Sequence, residues 1–339
     1  MSQKLLVIDT DCGIDDAQAI LVALAATHVR VLAATCVFGN ASVDDVCQNV
    51  LKVFEVAQRE QFFTQEIPVF RGSAGPLLGT TASAHDHFGT DGLGDVLENR
   101  APRWEEKIQK EHAVNAMLRL VAENPKQVTL VALGPLTNLA LAVKMDPSFP
   151  GKLKELYIMG GNMEGKGNVS LCAEFNFAMD PEAAYLVLEE YLCPTYLATY
   201  EYACKNVLSW EFFEELTSQD TAASRFMKTI TSRCWAFSPE IRNKQRGGYF
   251  EPGFVSYDSY AVAACVDADV VAESVRCPVR VELQGTVCRG MMVLDRVGRL
   301  NKQHSVTVFT KCHKDKLAQM LLKSVGHPSG SPHAGKETP

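Results

Sequence analysis

Four aspartates crowd into the segment DTDCGIDD: Asp9, Asp11, Asp15 and Asp16, directly after the apolar run LLVI. Carboxylates held this close raise one another's pKa values and resist full ionisation unless a cation neutralises them. Oxygen ligands select a hard ion, Ca²⁺ or Mg²⁺, over zinc. Part of the cluster has a plainer use, because acidic residues in the first turn of a helix gain from its dipole, and Asp15 is placed to cap in this way. Capping accounts for one or two carboxylates and leaves the others unexplained. In open α/β sheets the functional crevice lies beyond the carboxyl ends of the strands. Asp9 and Asp11 fall at such an end, and Gly13 permits the tight turn into the helix that follows.

Further polar segments follow in order: FGN at 38–40, GPLTNLA at 134–140, IMGGN at 158–162, NVSLCAEFNFAMDPEAA from 168, and YDSYA at 257–261. With DTDCGIDD, this ordered set resembles the nucleoside hydrolases, calcium-dependent enzymes that cleave the N-glycosidic bond of ribonucleosides, over roughly residues 4–310. The resemblance implies that Asp11, Asp16 and Asp258 bind Ca²⁺ together with the main-chain carbonyl of Leu133. It implies that Asp15, Asn168, Glu174 and Asn176 hydrogen-bond the ribose hydroxyls, with Asn40 a further polar residue near the sugar and Asp9 a support behind the ligands. It also implies a homo-oligomer, a dimer or a tetramer. Residue chemistry agrees on the sugar: a cis-diol and a 5′-hydroxyl need several acceptors and amides that both donate and accept, and NVSLCAEFN offers three such side chains after a strand ending in IMGG.

The mechanism expected from that site is attack on C1′ by a water from which Asp11 takes the proton as general base, through an oxocarbenium-like transition state. Activation of the leaving base is where the chain departs from the family pattern. Tyr257 stands where other members have a histidine, and FGTDGLGD puts Phe88 at a second histidine position, with His87 one place earlier. His87, Tyr257 and Trp235 are the candidates near the leaving group. Trp235, Phe237, Tyr249 and Phe250 lie where the family builds part of its base pocket, although packing in the core would explain them equally well. The His85/His87 spacing is a weak zinc signal in a loop rich in Gly, Asp and Thr.

Positioning these residues requires a layered scaffold. Short aliphatic runs such as KLLVID, VRVLAATCVFG, QVTLVALG and KELYIMGG alternate with helical patterns such as DDAQAILVALAA and VDDVCQNVLKVFEVAQRE. That alternation predicts an α/β fold: a mostly parallel, Rossmann-like sheet flanked by helices, in a single large domain over residues 1–325. Residues 208–237 predict an added helical subregion, PVRVELQG and HSVTVFTK a late β segment, and KDKLAQMLLKSV a closing helix. GPLTNLA predicts a strand-to-helix turn with Pro135 near the first helical position. Residues 326–339 are expected to be a disordered tail, being rich in Gly, Pro and Ser.

The net charge of −7 without a basic block argues against nucleic acid or an anionic membrane as partner and leaves a small-molecule substrate. Eleven cysteines, an odd number with no C-x-x-C pair, predict reduced and mostly buried thiols in a cytoplasmic protein, as does the lack of a signal-peptide pattern or an apolar stretch of membrane-spanning length. Two other readings compete. A haloacid dehalogenase-like phosphatase also begins D-x-D after its first strand, but requires a lysine motif and a late acidic pair, and YDSYA has only Asp258. A catalytically inactive nucleoside or ribose binder on the same scaffold is the other.

Overall fold

Aliphatic and β-branched runs, buried on both faces toward the centre, form the strands of a computed structural model that describes residues 3–79, 87–97, 103–239 and 250–326. In chain order the strands are β1 (Lys4–Thr10), β2 (Val29–Cys36), β3 (Val69–Arg71), β4 (Ile108–Gln109), β5 (Val128–Ala132), β6 (Glu155–Met159), β7 (Thr195–Ala198), β8 (Val271–Cys277), β9 (Val279–Val281), β10 (Met292–Leu294) and β11 (Val306–Cys312). Nine of them make one sheet in the order β4-β3-β2-β1-β5-β6-β7-β11-β8, and β9 pairs with β10 in a separate ribbon. Every pairing in the large sheet is parallel except that of β8 with β11.

From central β1 the chain runs outward through β2, β3 and β4, then returns to β5 on the other side of β1. Reversal of strand order opens a crevice beyond the carboxyl ends of β1 and β5, the place where open α/β sheets put their ligands. The helix after β1, Ile14–Leu24, is buried along its whole length, as its nearly uninterrupted apolar run after Asp16 requires. Helices Tyr257–Val266 and Lys314–Val325 pack against it.

The expected α/β class, the parallel sheet, the closing helix and the helical subregion are all present; the last consists of helices Trp210–Leu216 and Ala222–Thr231 and a short 3₁₀ turn Trp235–Phe237. Two details differ. The late β segment divides: PVRVELQG supplies β9 of the small ribbon, while HSVTVFTK supplies β11 of the main sheet. Strand β8, VAESVRC, was not anticipated, because as an exposed antiparallel edge it alternates polar with apolar and carries no buried run. Pro135 lies before the helix Thr137–Met145, whose preceding residue is Leu136. Apart from Gly326, the expected tail lies outside the described residues.

Candidate active site

The turn between β1 and the helix Ile14–Leu24 gives each aspartate a different environment. Asp9, inside β1, is fully buried; its Oδ1 accepts from Thr35 Oγ1 at 2.8 Å and Asn138 Nδ2 at 2.9 Å. Asp16, the third residue of the helix, accepts from the Gly13 N–H at 2.9 Å, from the Thr10 hydroxyl and from Asn40 Nδ2 at 3.3 Å. The helix start is therefore capped by Asp16, where the capping expectation had pointed to Asp15. Asp11 Oδ2 accepts the Asn40 N–H at 2.8 Å, whereas its buried Oδ1 has no hydrogen-bond partner among the described residues.

The backbone is drawn close around Asp11. A Cβ built on Gly39 would lie 2.0 Å from Asp11 Oδ2, and one on Gly134 would lie 2.9 Å from Asp11 Cβ, Cγ and Oδ1. Both positions require glycine for space, not for conformation.

Asp258 enters from the first turn of helix Tyr257–Val266, brought in by packing against Ile14–Leu24. Carboxylate oxygens of Asp15, Asp16 and Asp258 all lie within 4.8 Å of one another, and all three residues are buried. Burial, followed by repulsion from Asp15, Asp16 and Asp11, holds the Asp258 carboxyl well above the usual carboxylate range. Burial and then Asp16 do the same to Asp11, against the opposing Asn40 N–H. Asp16 is also raised by burial, with hydrogen bonds from Thr10, Asp258 and Gly13 pulling the other way. Asp9 is pushed up to about 7 by burial, despite its bonds from Asn138 and Thr35. Such a cluster fits the donor set of a hard cation: buried, oxygen-only and over-charged for its surroundings.

The sugar-side candidates divide. Asn176 Nδ2 donates to the Leu133 carbonyl at 2.7 Å and to the Met159 carbonyl at 3.0 Å, stitching together the ends of β5 and β6. Glu174 caps the short helix Phe175–Met179, accepting N–H groups from Asn176 at 2.9 Å, Phe177 at 3.2 Å and Gly161 at 2.8 Å. Burial nevertheless pushes its carboxyl up to about 7. Asn168 differs: it is exposed at the rim of the connection after β6, its N–H bonded to the Ala173 carbonyl at 3.2 Å.

Phe88 is buried and a Cβ on Gly13 would meet its ring at 2.8 Å, which places it directly against the acidic turn. Its ring stacks on Phe237 at 6.2 Å between centroids and packs against His87 at 4.4 Å. Tyr257 lies 5.8 Å from Tyr200, which meets Phe250 edge-on at 5.5 Å. His85, Tyr249 and the Trp235 side chain lie outside the described residues.

Sequence reading missed two buried polar supports. Asn138 donates to Asp9 and to the Cys36 carbonyl at 3.0 Å, and accepts from the N–H and hydroxyl of Ser73, both at 2.9 Å, so one amide ties β1 and β2 to the connection after β3. In sequence it carries only the signal of a first-turn residue. Glu201, fully buried, accepts the N–H groups of Met163 at 2.6 Å, Glu164 at 2.9 Å and Lys166 at 3.3 Å. An acid three residues beyond the end of β7, in the first turn of the helix Tyr200–Lys205, is the only signal for it.

Among the described residues, no helix is long and apolar enough to cross a membrane. The sequence profile of the inosine-uridine preferring nucleoside hydrolases matches residues 6–319. An inosine-uridine preferring nucleoside hydrolase of Leishmania major is 34% identical over 329 residues, 96% of this chain and 99% of that one. Uridine nucleosidase 1 of Arabidopsis thaliana is 36% identical over 292 residues, 86% of this chain and 82% of the relative. A solved inosine-guanosine nucleoside hydrolase superposes with a TM-score of 0.84 at 32% identity, covering 95% of this chain and 98% of the other. Buried carboxylates at the strand-order reversal and a match over nearly the whole chain lead to one assignment: the protein belongs to the inosine-uridine preferring nucleoside hydrolase family, hydrolases of N-glycosyl compounds.

Proposed function

We propose that the protein hydrolyses the N-glycosidic bond of a ribonucleoside to ribose and free base with the help of Ca²⁺, with Asp11 as general base. The observation that carries this reading is the buried set Asp11, Asp15, Asp16 and Asp258, together with an Asp11 oxygen that no group among the described residues satisfies. Asp11, Asp16, Asp258 and the Leu133 carbonyl would hold the cation. Asp15 also belongs to the tightest carboxylate group and adds charge beside it. When bound, the cation supplies positive charge that acidifies a water molecule and orients the sugar diol.

Asp11 is suited to its part because Oδ2 is pinned by the Asn40 N–H, leaving Oδ1 to take a proton. Asp15, Asn40, Glu174 and Asn176 surround the sugar, Asn168 closes it from the rim, and Asp9 holds β1 in register through Asn138. As the glycosidic bond breaks, positive charge grows on the ribose and the surrounding carboxylates stabilise it. Tyr257 and His87 stand toward the leaving base, with Phe88 and Phe237 as an apolar wall.

A panel of ribonucleosides and 2′-deoxyribonucleosides, assayed for free base with and without chelator, tests the reading. Base release from ribonucleosides that chelation abolishes and Ca²⁺ restores is expected. Equal turnover of the deoxy substrates would contradict recognition of the diol, and ligand binding without base release would favour a non-catalytic binder. Size-exclusion chromatography with light scattering tests the proposed dimer or tetramer.

A further inference from the structure

Nine of the eleven cysteines are buried; the two that reach solvent, Cys172 and Cys288, interact with one another. Cys172 lies in the connection 160–174 that follows β6 and ends at Glu174, and Cys288 lies in the connection between β9 and β10. Contacts that do not involve these sulfurs hold the two connections side by side. Asn162 Nδ2 donates to the Cys172 carbonyl at 2.5 Å while its Oδ1 accepts the Met292 N–H at 2.9 Å. Gly290, at φ +85°, sits so close that an added Cβ would lie 3.2 Å from Ala173 Cβ and 3.3 Å from the Phe177 carbonyl oxygen. Met291 Sδ would stand 3.3 Å from a Cβ on Gly165. Local desolvation and then a hydrogen bond to Cys288 hold the Cys172 thiol above its ordinary pKa.

We propose that Cys172 and Cys288 are a reversible disulfide site that ties the connection carrying Asn168 to the β9–β10 ribbon. The reaction is thiol–disulfide exchange with a small-molecule disulfide. One protein thiolate attacks a sulfur of the reagent and expels a thiolate; the second protein thiolate attacks the mixed disulfide and expels the other. The two protons lost by the protein thiols are taken up by the departing thiolates, the protein is oxidised by two electrons and the reagent is reduced to two thiols. Closing the bond brings the sulfurs to about 2.05 Å. Two partly exposed thiols on surface connections match the labile class of disulfide. The bond itself does not depend on the reading of the sugar site; its effect on substrate does.

The test uses the full chain, reduced and then incubated with glutathione disulfide, alkylated and mapped by mass spectrometry. A linked Cys172–Cys288 peptide is expected, with slower amide exchange across 162–174, and both effects should disappear on adding dithiothreitol. Cys288→Ser should leave the reduced protein's activity unchanged and lose both responses. Glutathione adducts without the linked peptide, or a link that leaves amide exchange unaltered, would overturn the proposal. Oxidation should also raise the KM for a ribonucleoside several-fold; an unchanged KM would overturn that consequence for the sugar side. Mass and exchange are read without substrate, so failure of the reduced protein to cleave nucleosides would count against the proposed function alone.

Discussion

Asp11 and Glu174 are both buried acids, yet their hydrogen bonding assigns them opposite tasks. Asp11 keeps one oxygen without a partner among the described residues, and replacing it with Asn preserves shape while removing the proposed base. Asp11→Asn should lower kcat by about 10²–10⁴-fold with a normal fold by circular dichroism; near-normal release of base would remove Asp11 from the mechanism. Both Glu174 oxygens are engaged by backbone N–H groups, which makes it a fixed part of the wall. Burial raises its folded pKa to about 7 from an ordinary 4.5. Folding therefore favours the protonated acid: stability is greatest below about pH 4.5 and is lost as pH rises to about 7, by on the order of 3 kcal/mol from this group. In urea titrations at pH 5 and pH 8 with chelator present, Glu174→Gln should show a smaller fall than the parent, whatever its absolute stability. At this scale the acidic motif was legible, because four like charges in eight positions demand an explanation. The division of labour was not, since it depends on which oxygen meets which N–H.

Elements carry the precision of the site. Asp11 is gripped between the connection after β2 and the connection after β5, where Gly39 and Gly134 leave no room for a methyl group. Gly134→Ala should displace Asp11, costing about 1–3 kcal/mol in stability and on the order of 10²-fold in kcat. Thermal unfolding and base release measured on the same preparation check both; an unaltered kcat would show that Asp11 is not held in place by this contact. Strand β1 and the helix after it were readable from their apolar runs, and the crevice followed from the strand alternation. Asn138 escaped notice because a turn asparagine and a buried four-bond bracket look identical in sequence. Strand β8 was missed because an edge strand has no second buried face to mark it.

The whole molecule is arranged so that helix Tyr257–Val266 delivers Asp258 to carboxylates at the other end of the chain. Without a cation, this packing forces like charges together in a buried place. Chelation should therefore lower the melting temperature, and Ca²⁺ should restore stability as the logarithm of its concentration over Kd, by about 2.7 kcal/mol at 100 Kd. Calorimetry with a Ca²⁺ titration measures this; a melting temperature indifferent to chelator and Ca²⁺ would count against a cation at these aspartates. Asp258→Asn should soften the penalty in the chelated protein and blunt the response to Ca²⁺.

The separation of Asp16 from Asp258 also sets a schedule for synthesis. About 240 residues must be translated between them, which at roughly 5–20 residues per second takes on the order of 10 s or more. During that interval β1, an interior strand of the finished sheet, has left the ribosome before β5, one of its two neighbours, has been made. A nascent chain stopped between residues 16 and 258 carries most of the acidic cluster but lacks the helix that closes it. Capture of the proposed cation would thus be among the last events of biogenesis, and would distinguish finished molecules from interrupted ones.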